Sequence, residues 1–444
     1  MLPPPLMDGV SPLPNALRMI EPSSALLPPP NGEVVAVTRS ASARRAANPD
    51  ADPTVQLRRW QGVASSSGMQ PYTWGLSGDV SAQLALGLQS ALLYTDNVDF
   101  VTNDRTKSET LFEISPIIKL DLGDPQGVIS SPNSRRSEYY ASLLYVPTFY
   151  YRLDEEMDDY AQHFLGEVGR VNEVSRSVLR LDYDERILTS SENTSPEENY
   201  TLLDASALVE YRISPRTLVY GKATYRRISL VPASANRDTW IGEVAGVWDL
   251  SPKTRLGLGT EFGHIIFNQP ALGTQDYQQA FFTIDWKPTM KLGFTTRTGL
   301  ERREFNRSPP REMKTSLVTM TALFWQATEK TRISARFRVA NSPSVIAQGS
   351  LLREIRFGPD IMHDFSLHFY SAAELQVIRR RYDTGRLDWE PTARFAFGYR
   401  DDIDKTHNRL NIEFFIQWHR RERSDLNDVD LERTQVGVQV TKFF

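Results

Sequence analysis

The chain has 444 residues, no cysteine and a formal net charge of −4. The lack of cysteine excludes disulfide frameworks, thiolate metal sites and cysteine nucleophiles, and so small a charge does not argue for nucleic-acid binding. No apolar run reaches about 18 residues, so no transmembrane helix is predicted. The mean hydropathy of −0.40 suits a soluble protein and equally a membrane β-barrel, because only alternate residues of a barrel strand face lipid.

The N-terminal segment, residues 1–71, differs in composition from the rest of the chain. Two triple-proline runs, at residues 3–5 and 28–30, frame a stretch rich in serine, alanine and asparagine. Such a segment buries too little apolar surface to offset its ordering entropy, which predicts a Pro-rich, mostly disordered periplasmic arm. The first ten residues lack the basic start and apolar core of a secretory signal peptide. Either the signal is absent from this version of the chain or the start is misplaced.

Residues 72–444 repeat one pattern, in which apolar and polar residues alternate over the length of a strand. One segment places Leu410, Ile412, Phe414, Ile416 and Trp418 on one face, against Arg409, Asn411, Glu413, Gln417 and His419 on the other. Helical spacing fits none of these segments. Short turns, such as Ser214-Pro215-Arg216, alternate with longer polar loops, such as residues 189–199. This predicts an all-β, antiparallel up-and-down transmembrane barrel of about 18 strands, with 16 as the alternative because residues 138–188 are hard to divide.

The apolar face of such a barrel is expected to meet lipid. A barrel of this size encloses a lumen too wide for side chains to fill, so its apolar face needs another medium. The chain also ends on an amphipathic strand whose last residue is aromatic, which is typical of outer-membrane barrels. We expect the interfacial aromatic belts to contain Trp240, Trp248, Trp286, Trp418 and Phe444. Phe414→Arg on this face is expected to damage the barrel, and Glu413→Gln on the other face to cost little.

A resemblance to a known family supports this interpretation. Residues 92–98, LLYTDNV, are followed after a long loop by residues 112–118, FEISPII. This pair of segments resembles the type 2 β-barrel porin family, whose members are often encoded near exopolysaccharide genes. The resemblance implies an outer-membrane barrel and, as one role, the transport or export of a glycan. It implies no catalytic residues.

The lumen face is rich in arginine. A basic stripe is predicted from Arg297, Arg303, Arg332, Arg336, Arg338, Arg394, Arg400 and Arg409. Lumen acids are predicted at Glu113, Asp121, Glu261, Glu301 and Glu413, mostly on other parts of the wall. Two interpretations stay open: a field that guides anionic solute through the pore, or a neutralised wall of ion pairs.

Catalytic and metal-binding patterns are missing from the sequence. The six histidines show no HExxH-like spacing, so no metal or other cofactor is predicted and the protein is not expected to be an enzyme. His264 is the one residue to weigh as a catalytic base of a lipid-acting barrel enzyme. It shares the lipid-facing parity, with Glu261 nearby, and a polar residue at the outer rim is the simpler interpretation.

Three functions remain, in order of preference. The first is an outer-membrane channel that passes or guides solutes or glycan. The second is the barrel component of an exopolysaccharide secretion or cell-surface assembly, with periplasmic or inner-membrane partners. The third is a barrel enzyme that acts on lipid. The expected partners are outer-membrane lipid, lipopolysaccharide and the barrel-assembly machinery, which would read the C-terminal strand; both termini are expected in the periplasm.

Overall fold

The computed structural model describes residues 72–75, 81–96, 108–123, 139–152, 159–172, 174–188, 198–230, 236–269, 273–289, 291–306, 312–343, 351–383, 385–401, 409–423 and 431–444. The predicted N-terminal arm, residues 1–71, lies outside them. Among the described residues, no helix has the length and apolar character needed to cross a membrane.

The described residues form nineteen β-strands. In chain order they are β1 (Tyr72–Gly75), β2 (Ser81–Thr95), β3 (Glu109–Leu122), β4 (Tyr139–Arg152), β5 (Asp159–Val171), β6 (Ser175–Leu188), β7 (Glu198–Ser214), β8 (Thr217–Leu230), β9 (Arg237–Ser251), β10 (Thr254–Phe267), β11 (Thr274–Thr289), β12 (Leu292–Asn306), β13 (Glu312–Gln326), β14 (Thr331–Pro343), β15 (Leu351–Asp364), β16 (Phe369–Tyr382), β17 (Leu387–Asp401), β18 (Arg409–Arg423) and β19 (Leu431–Phe443).

Strands β2 to β19 close into a barrel of eighteen antiparallel strands. Each strand pairs with its neighbours in the sequence, and β19 pairs with β2, so that Val438 lies opposite Leu92. Strand β1 stands outside this cycle and pairs with residues 81–84 of β2, beyond the point where β19 ends. The predicted up-and-down barrel is confirmed, with 18 strands and not 16.

The stretch that the sequence left undivided, residues 138–188, forms the three strands β4, β5 and β6. The connection between β5 and β6 is short and has neither proline nor glycine. Instead, the side-chain oxygen of Asn172 accepts hydrogen bonds from the backbone N–H groups of Val174, at 3.0 Å, and Ser175, at 2.7 Å. This Asx turn replaces the usual turn signals and explains why the pattern did not reveal the boundary.

The two rims of the barrel differ in their connections. On the short-turn rim, three tight turns share one design: the hydroxyl of Ser214, Ser251 or Thr289 accepts a hydrogen bond from the N–H two residues later, at 3.2–3.3 Å. The opposite rim, called here the long-loop rim, carries residues 189–197, 231–236, 268–273, 307–311 and 344–350. The predicted alternation has three exceptions. Residues 123–138 and 402–408 are long connections on the short-turn rim, and residues 383–386 are a short connection on the long-loop rim.

The two faces of the wall have opposite character. Large apolar side chains point outward and remain exposed, as at Phe414, which is 56% exposed, and Phe262, which is 51% exposed. Charged and polar side chains point inward, and many of them, including Glu413 and Arg380, are fully buried against one another. The alternation therefore puts apolar groups outside and polar groups inside, which is the reverse of a soluble barrel.

Candidate functional site: the charged inner wall

Seven of the eight arginines of the predicted stripe lie on inward-facing positions of β12, β14 and β17. Arg303, Arg332 and Arg394 are buried, and four others are partly exposed: Arg297, Arg336, Arg338 and Arg400. The side chain of Arg409 lies outside the described residues. These arginines follow the wall from one rim to the other.

On β12 the arginines contact carboxylates of β9, β10 and β12 itself. Arg297 donates through Nη1 to Oε2 of Glu243, at 3.0 Å, and through Nη2 to Oε2 of Glu261, at 2.6 Å. Arg303 donates through Nε to Oε1 of Glu301, at 2.9 Å. The predicted lumen acids Glu261 and Glu301 are therefore partners of the predicted lumen bases.

The arginines of β14 and β17 are also mostly paired, with acids that the sequence analysis did not single out. Asp364 of β15 lies 2.7 Å from Nη2 of Arg400 and 3.6 Å from Nη2 of Arg332. Asp360, also on β15, lies 3.4 Å from Nη2 of Arg336. The expectation that acids come mostly from elsewhere is therefore wrong for this part of the wall. Asp360 and Asp364 lie on alternate, inward-facing positions of β15. Applying the alternation of β14 to β15 as well would have identified them from the sequence.

Arg338 is the exception on β14. Within the described part of the chain it makes no ion pair with a carboxylate, and its partner across the ladder to β15 is another arginine, Arg356. Arg356 lies 3.0 Å from Glu354. Glu354 also contacts Arg380, at 3.4 Å, so this carboxylate does not balance Arg338 as well, which leaves a local surplus of positive charge on the inner wall.

A second cluster of charges lies toward the long-loop rim, where β15 to β18 run side by side. Arg380 forms ion pairs with Glu354, at 3.4 Å, and with Glu390. Glu390 also lies 2.7 Å from Nε2 of His419. Next to it, Asp388 contacts Arg386, at 2.6 Å, and Arg421, at 2.9 Å. Apart from His419, the sequence analysis named none of these residues. The run Arg379-Arg380-Arg381 gives no sign that only its middle member faces inward.

Three inward tyrosines share one arrangement with a glycine of the next strand. Tyr140, Tyr277 and Tyr370 lie directly across the ladder from Gly169, Gly263 and Gly398. Each ring occupies the space that a Cβ atom at the glycine position would need. Each phenol hydroxyl donates to a carboxylate: that of Glu167 at 2.8 Å, Glu261 at 3.0 Å and Glu413 at 3.0 Å. Glycine thus lets an aromatic ring lie flat on the wall and reach the ion pairs.

This arrangement predicts that Gly263 does not tolerate a side chain. A Cβ atom at Gly263 would overlap the ring of Tyr277, whose hydroxyl is held by Glu261. We expect Gly263→Ala to lower the unfolding free energy by about 1–3 kcal/mol through overpacking. Urea unfolding in lipid vesicles measures the loss. Gly242→Ala is the control, because a Cβ there meets nothing within 4 Å. Equal stability of the two variants would contradict the packing of this tyrosine.

The remaining predicted acids are also inward. Asp121 accepts a hydrogen bond from Ser142, at 2.5 Å, and forms an ion pair with Lys119, at 2.7 Å. Glu113 is 1% exposed. Glu413 is fully buried between Arg394 and Tyr370, so the expectation that Glu413→Gln costs little is not compatible with its surroundings.

The predicted belt residues all point outward. Trp240 and Trp418 lie toward the long-loop rim, whereas Trp248, Trp286 and Phe444 lie at the short-turn rim. Trp418 donates through Nε1 to Glu432, at 2.5 Å. Phe444 is fixed by its backbone N–H, which donates to the carbonyl of Leu86 at 3.0 Å. Indole and phenyl rings thus mark both ends of the outward apolar band.

His264 faces outward as predicted, but its partner differs from the expected one. Its Nδ1 lies 2.5 Å from Oδ1 of Asp276 on the neighbouring strand, whereas Glu261 points into the barrel. Asp276 also accepts a hydrogen bond from Asn306, at 2.7 Å. This cluster offers no serine nucleophile, and no group of three metal-binding side chains is found in the described part of the chain.

Comparisons with known proteins give similarity of fold only. No family model matches the chain, and no curated protein matches it. The outer membrane protein opdK from Pseudomonas aeruginosa is 11% identical with a TM-score of 0.45, covering 82% of this chain and 99% of opdK. OccK2 (OpdF) from the same organism is 10% identical with a TM-score of 0.47, covering 82% of this chain and 97% of OccK2. OccAB4 from Acinetobacter baumannii is 10% identical with a TM-score of 0.43, covering 82% of this chain and 98% of OccAB4.

Similarity of this extent transfers neither a substrate nor a role to this chain. None of these comparisons supports the resemblance to the type 2 β-barrel porin family or the link to exopolysaccharide. The class of molecule that the geometry itself defines is a closed 18-stranded barrel with an apolar outside and a charged inside.

Proposed function

We propose that this protein is an outer-membrane, porin-like channel that carries small polar or charged solutes across the membrane. The observation that carries the proposal is the closed barrel whose outward side chains are apolar and whose inward side chains are charged. Lipid is the medium that such an outside requires, and the pairing of β19 with β2 closes the sheet, so that neither of these strands is left as a free edge.

The same geometry suggests an orientation. Strand β1 and Phe444 both lie at the short-turn rim, next to residues 81–86 of β2. Short turns face the periplasm in outer-membrane barrels, so we place both termini there and the long loops at the cell surface. The partners in this proposal are outer-membrane lipid, lipopolysaccharide and the assembly machinery that would read the strand ending at Phe444.

The inner wall suggests a weak preference for anions. Most inward arginines are neutralised by a neighbouring carboxylate, so their pairs contribute little net field. Arg356 is paired with Glu354, which also contacts Arg380, whereas Arg338 makes no ion pair with a carboxylate within the described residues. The guanidinium group stays charged at any working pH. The two open interpretations of the arginine stripe thus apply to different parts of it: ion pairs stiffen most of the wall, and a small surplus near Arg338 selects anions.

The reversal potential under a potassium chloride gradient tests this proposal. We expect wild-type channels to prefer anions and Arg338→Gln to shift the potential toward cations, because one unbalanced positive charge is removed. The preference should weaken at higher salt, since a wet lumen screens charge. The control is Arg394→Gln/Glu413→Gln, which removes one pair and leaves the net charge unchanged. An Arg338→Gln channel with intact current and an unchanged potential would contradict the selecting role.

A further inference from the structure

Three arginines point outward near the long-loop rim, where β15 begins and β16 ends. Arg353 lies directly across the ladder from Arg381, and Arg379 follows on the same face of β16, across from Ile355. Arg353 and Arg381 are exposed, and Arg379 is partly buried. Like charges at directly opposite positions destabilise a pair of strands. Arg353, Arg379 and Arg381, called here the outer arginine cluster, therefore weaken this end of the sheet unless an anion lies beside them.

The sheet itself does not supply that anion. No carboxylate of the described residues forms an ion pair with the outer arginine cluster, and the acids around it have other partners. Asp383, two residues after Arg381 in the chain, lies 2.6 Å from Lys314. Glu422 on β18 lies 3.1 Å from Arg420. The three positive charges of the cluster therefore remain a local surplus on the outward side of the wall.

An aromatic ring marks the depth of the cluster in the proposed membrane. Arg379 lies directly across the ladder from Trp389, and its guanidinium carbon is 5.5 Å from the centre of the indole ring. The Nε atom of Arg379 is buried there and makes no hydrogen bond with any group that the structure describes. Tryptophans concentrate at the level of the lipid head groups. Arg353 and Arg381 are nearer the strand ends than Arg379, which places them at the level of lipid phosphates.

The outward surface next to the cluster, toward the middle of the strands, is apolar. Phe357 on β15, Leu375 on β16 and Phe395 on β17 are 48%, 56% and 52% exposed. The outward arginine of β8 differs from the cluster, because Arg227 forms an ion pair with Asp238 at 2.7 Å. Unneutralised guanidinium groups beside an apolar surface fit a lipid that carries several phosphates on its head group and several acyl chains.

We propose that the outer arginine cluster binds lipopolysaccharide, with its guanidinium groups on the phosphates of the lipid A head group and the acyl chains on the outward surface of β15 to β17. This inference rests on the proposed function, which puts the long-loop rim at the cell surface, where the outer leaflet carries this lipid. Guanidinium groups bind phosphate in a two-pronged manner. A phosphate between Arg353 and Arg381 supplies the missing counter-charge and removes the repulsion across the ladder.

Retention of lipid A by the purified, folded full chain tests the site, with native mass spectrometry as the readout. The probes are lipid A with two phosphates, lipid A with one phosphate and phosphatidylethanolamine, each added in the same detergent. We expect the wild type to retain the two-phosphate form several-fold more than either other probe. Arg353→Gln/Arg379→Gln/Arg381→Gln should lose this preference, because the charges that hold the phosphates are removed.

The matched control is Lys253→Gln/Lys291→Gln/Lys330→Gln, which also removes three positive charges, from exposed positions on the short-turn rim. This variant should prefer the two-phosphate form as the wild type does. Equal losses in the two triple variants would mean that retention follows net charge. An unchanged preference in the arginine variant would mean that lipid A binds elsewhere. Either result overturns the site.

The wild type alone gives a test that does not depend on how the variants fold. Equal retention of all three probes by the wild type overturns the site as well. Current through planar bilayers, measured on the same preparations, separates this inference from the proposed function. A barrel that conducts without preferring two-phosphate lipid A lacks the site and keeps the channel function, whereas one that retains the lipid and passes no current contradicts the channel function.

Discussion

Replacing Glu390 with glutamine is expected to destabilise the barrel by about 3 kcal/mol, because the change removes one of the two carboxylates that neutralise the buried Arg380. Glu390 is 1% exposed and contacts both Arg380 and His419. Glutamine keeps the shape of the side chain and removes only its charge. The free energy of unfolding in urea, measured with the protein in lipid vesicles, gives the loss directly.

The matched control is Asp238→Asn, which also removes one carboxylate charge from an arginine pair. Asp238 contacts Arg227 at 2.7 Å on the outward side of the long-loop rim, where the arginine is 55% exposed. Exposed pairs contribute little to stability, since water and salt screen them. We therefore expect Asp238→Asn to unfold close to the wild type. If Glu390→Gln were as mild as this control, the buried cluster would not hold β15 to β18 together.

A second large effect is expected at the outward face. Phe414 lies near the middle of β18 and is 56% exposed, so Phe414→Arg would place a guanidinium group in the hydrocarbon layer. The expected cost is about 2–4 kcal/mol at the bilayer midplane. The yield of heat-modifiable, membrane-inserted protein should fall with the free energy of unfolding.

An inward arginine substitution provides the comparison. Gln279 of β11 points into the barrel with Glu261 and Glu301 as its cross-strand neighbours, so Gln279→Arg meets carboxylates and water. We expect this variant to insert normally. Glu413→Gln is not a suitable comparison, because the Glu413 carboxylate accepts hydrogen bonds from both Arg394 and Tyr370 on the inner wall. Equal damage from Phe414→Arg and Gln279→Arg would mean that the two faces do not meet different media.

The alternation of residues along single strands was enough to predict the two faces of the wall. On β18, the order of apolar and polar residues alone put Phe414 outside and Glu413 inside, as the structure does. This works because the side-chain period of a strand is two, whatever its neighbours are. The same pattern predicted the number of strands. The choice between 16 and 18 stayed open only because Asn172 replaces the usual turn residues between β5 and β6.

The pairing of charges could not be read in the same way. Whether Asp364 meets Arg400 or Arg332 depends on the register of neighbouring strands, which a single strand does not contain. The end of the ladder between β13 and β14 is a further case, since nothing in the alternation of either strand marks the residue at which it falls. Interactions between strands decide both features.

Single-channel current in a planar bilayer tests the central claim most directly. The purified full chain, shown by heat-modifiable mobility to be a folded barrel, is added to one side of the membrane under an applied potential. The charged lumen predicts stepwise conductance that rises with potassium chloride concentration. Bilayers that remain silent at every salt concentration, although folded barrels have inserted, would contradict the claim that this barrel is a channel.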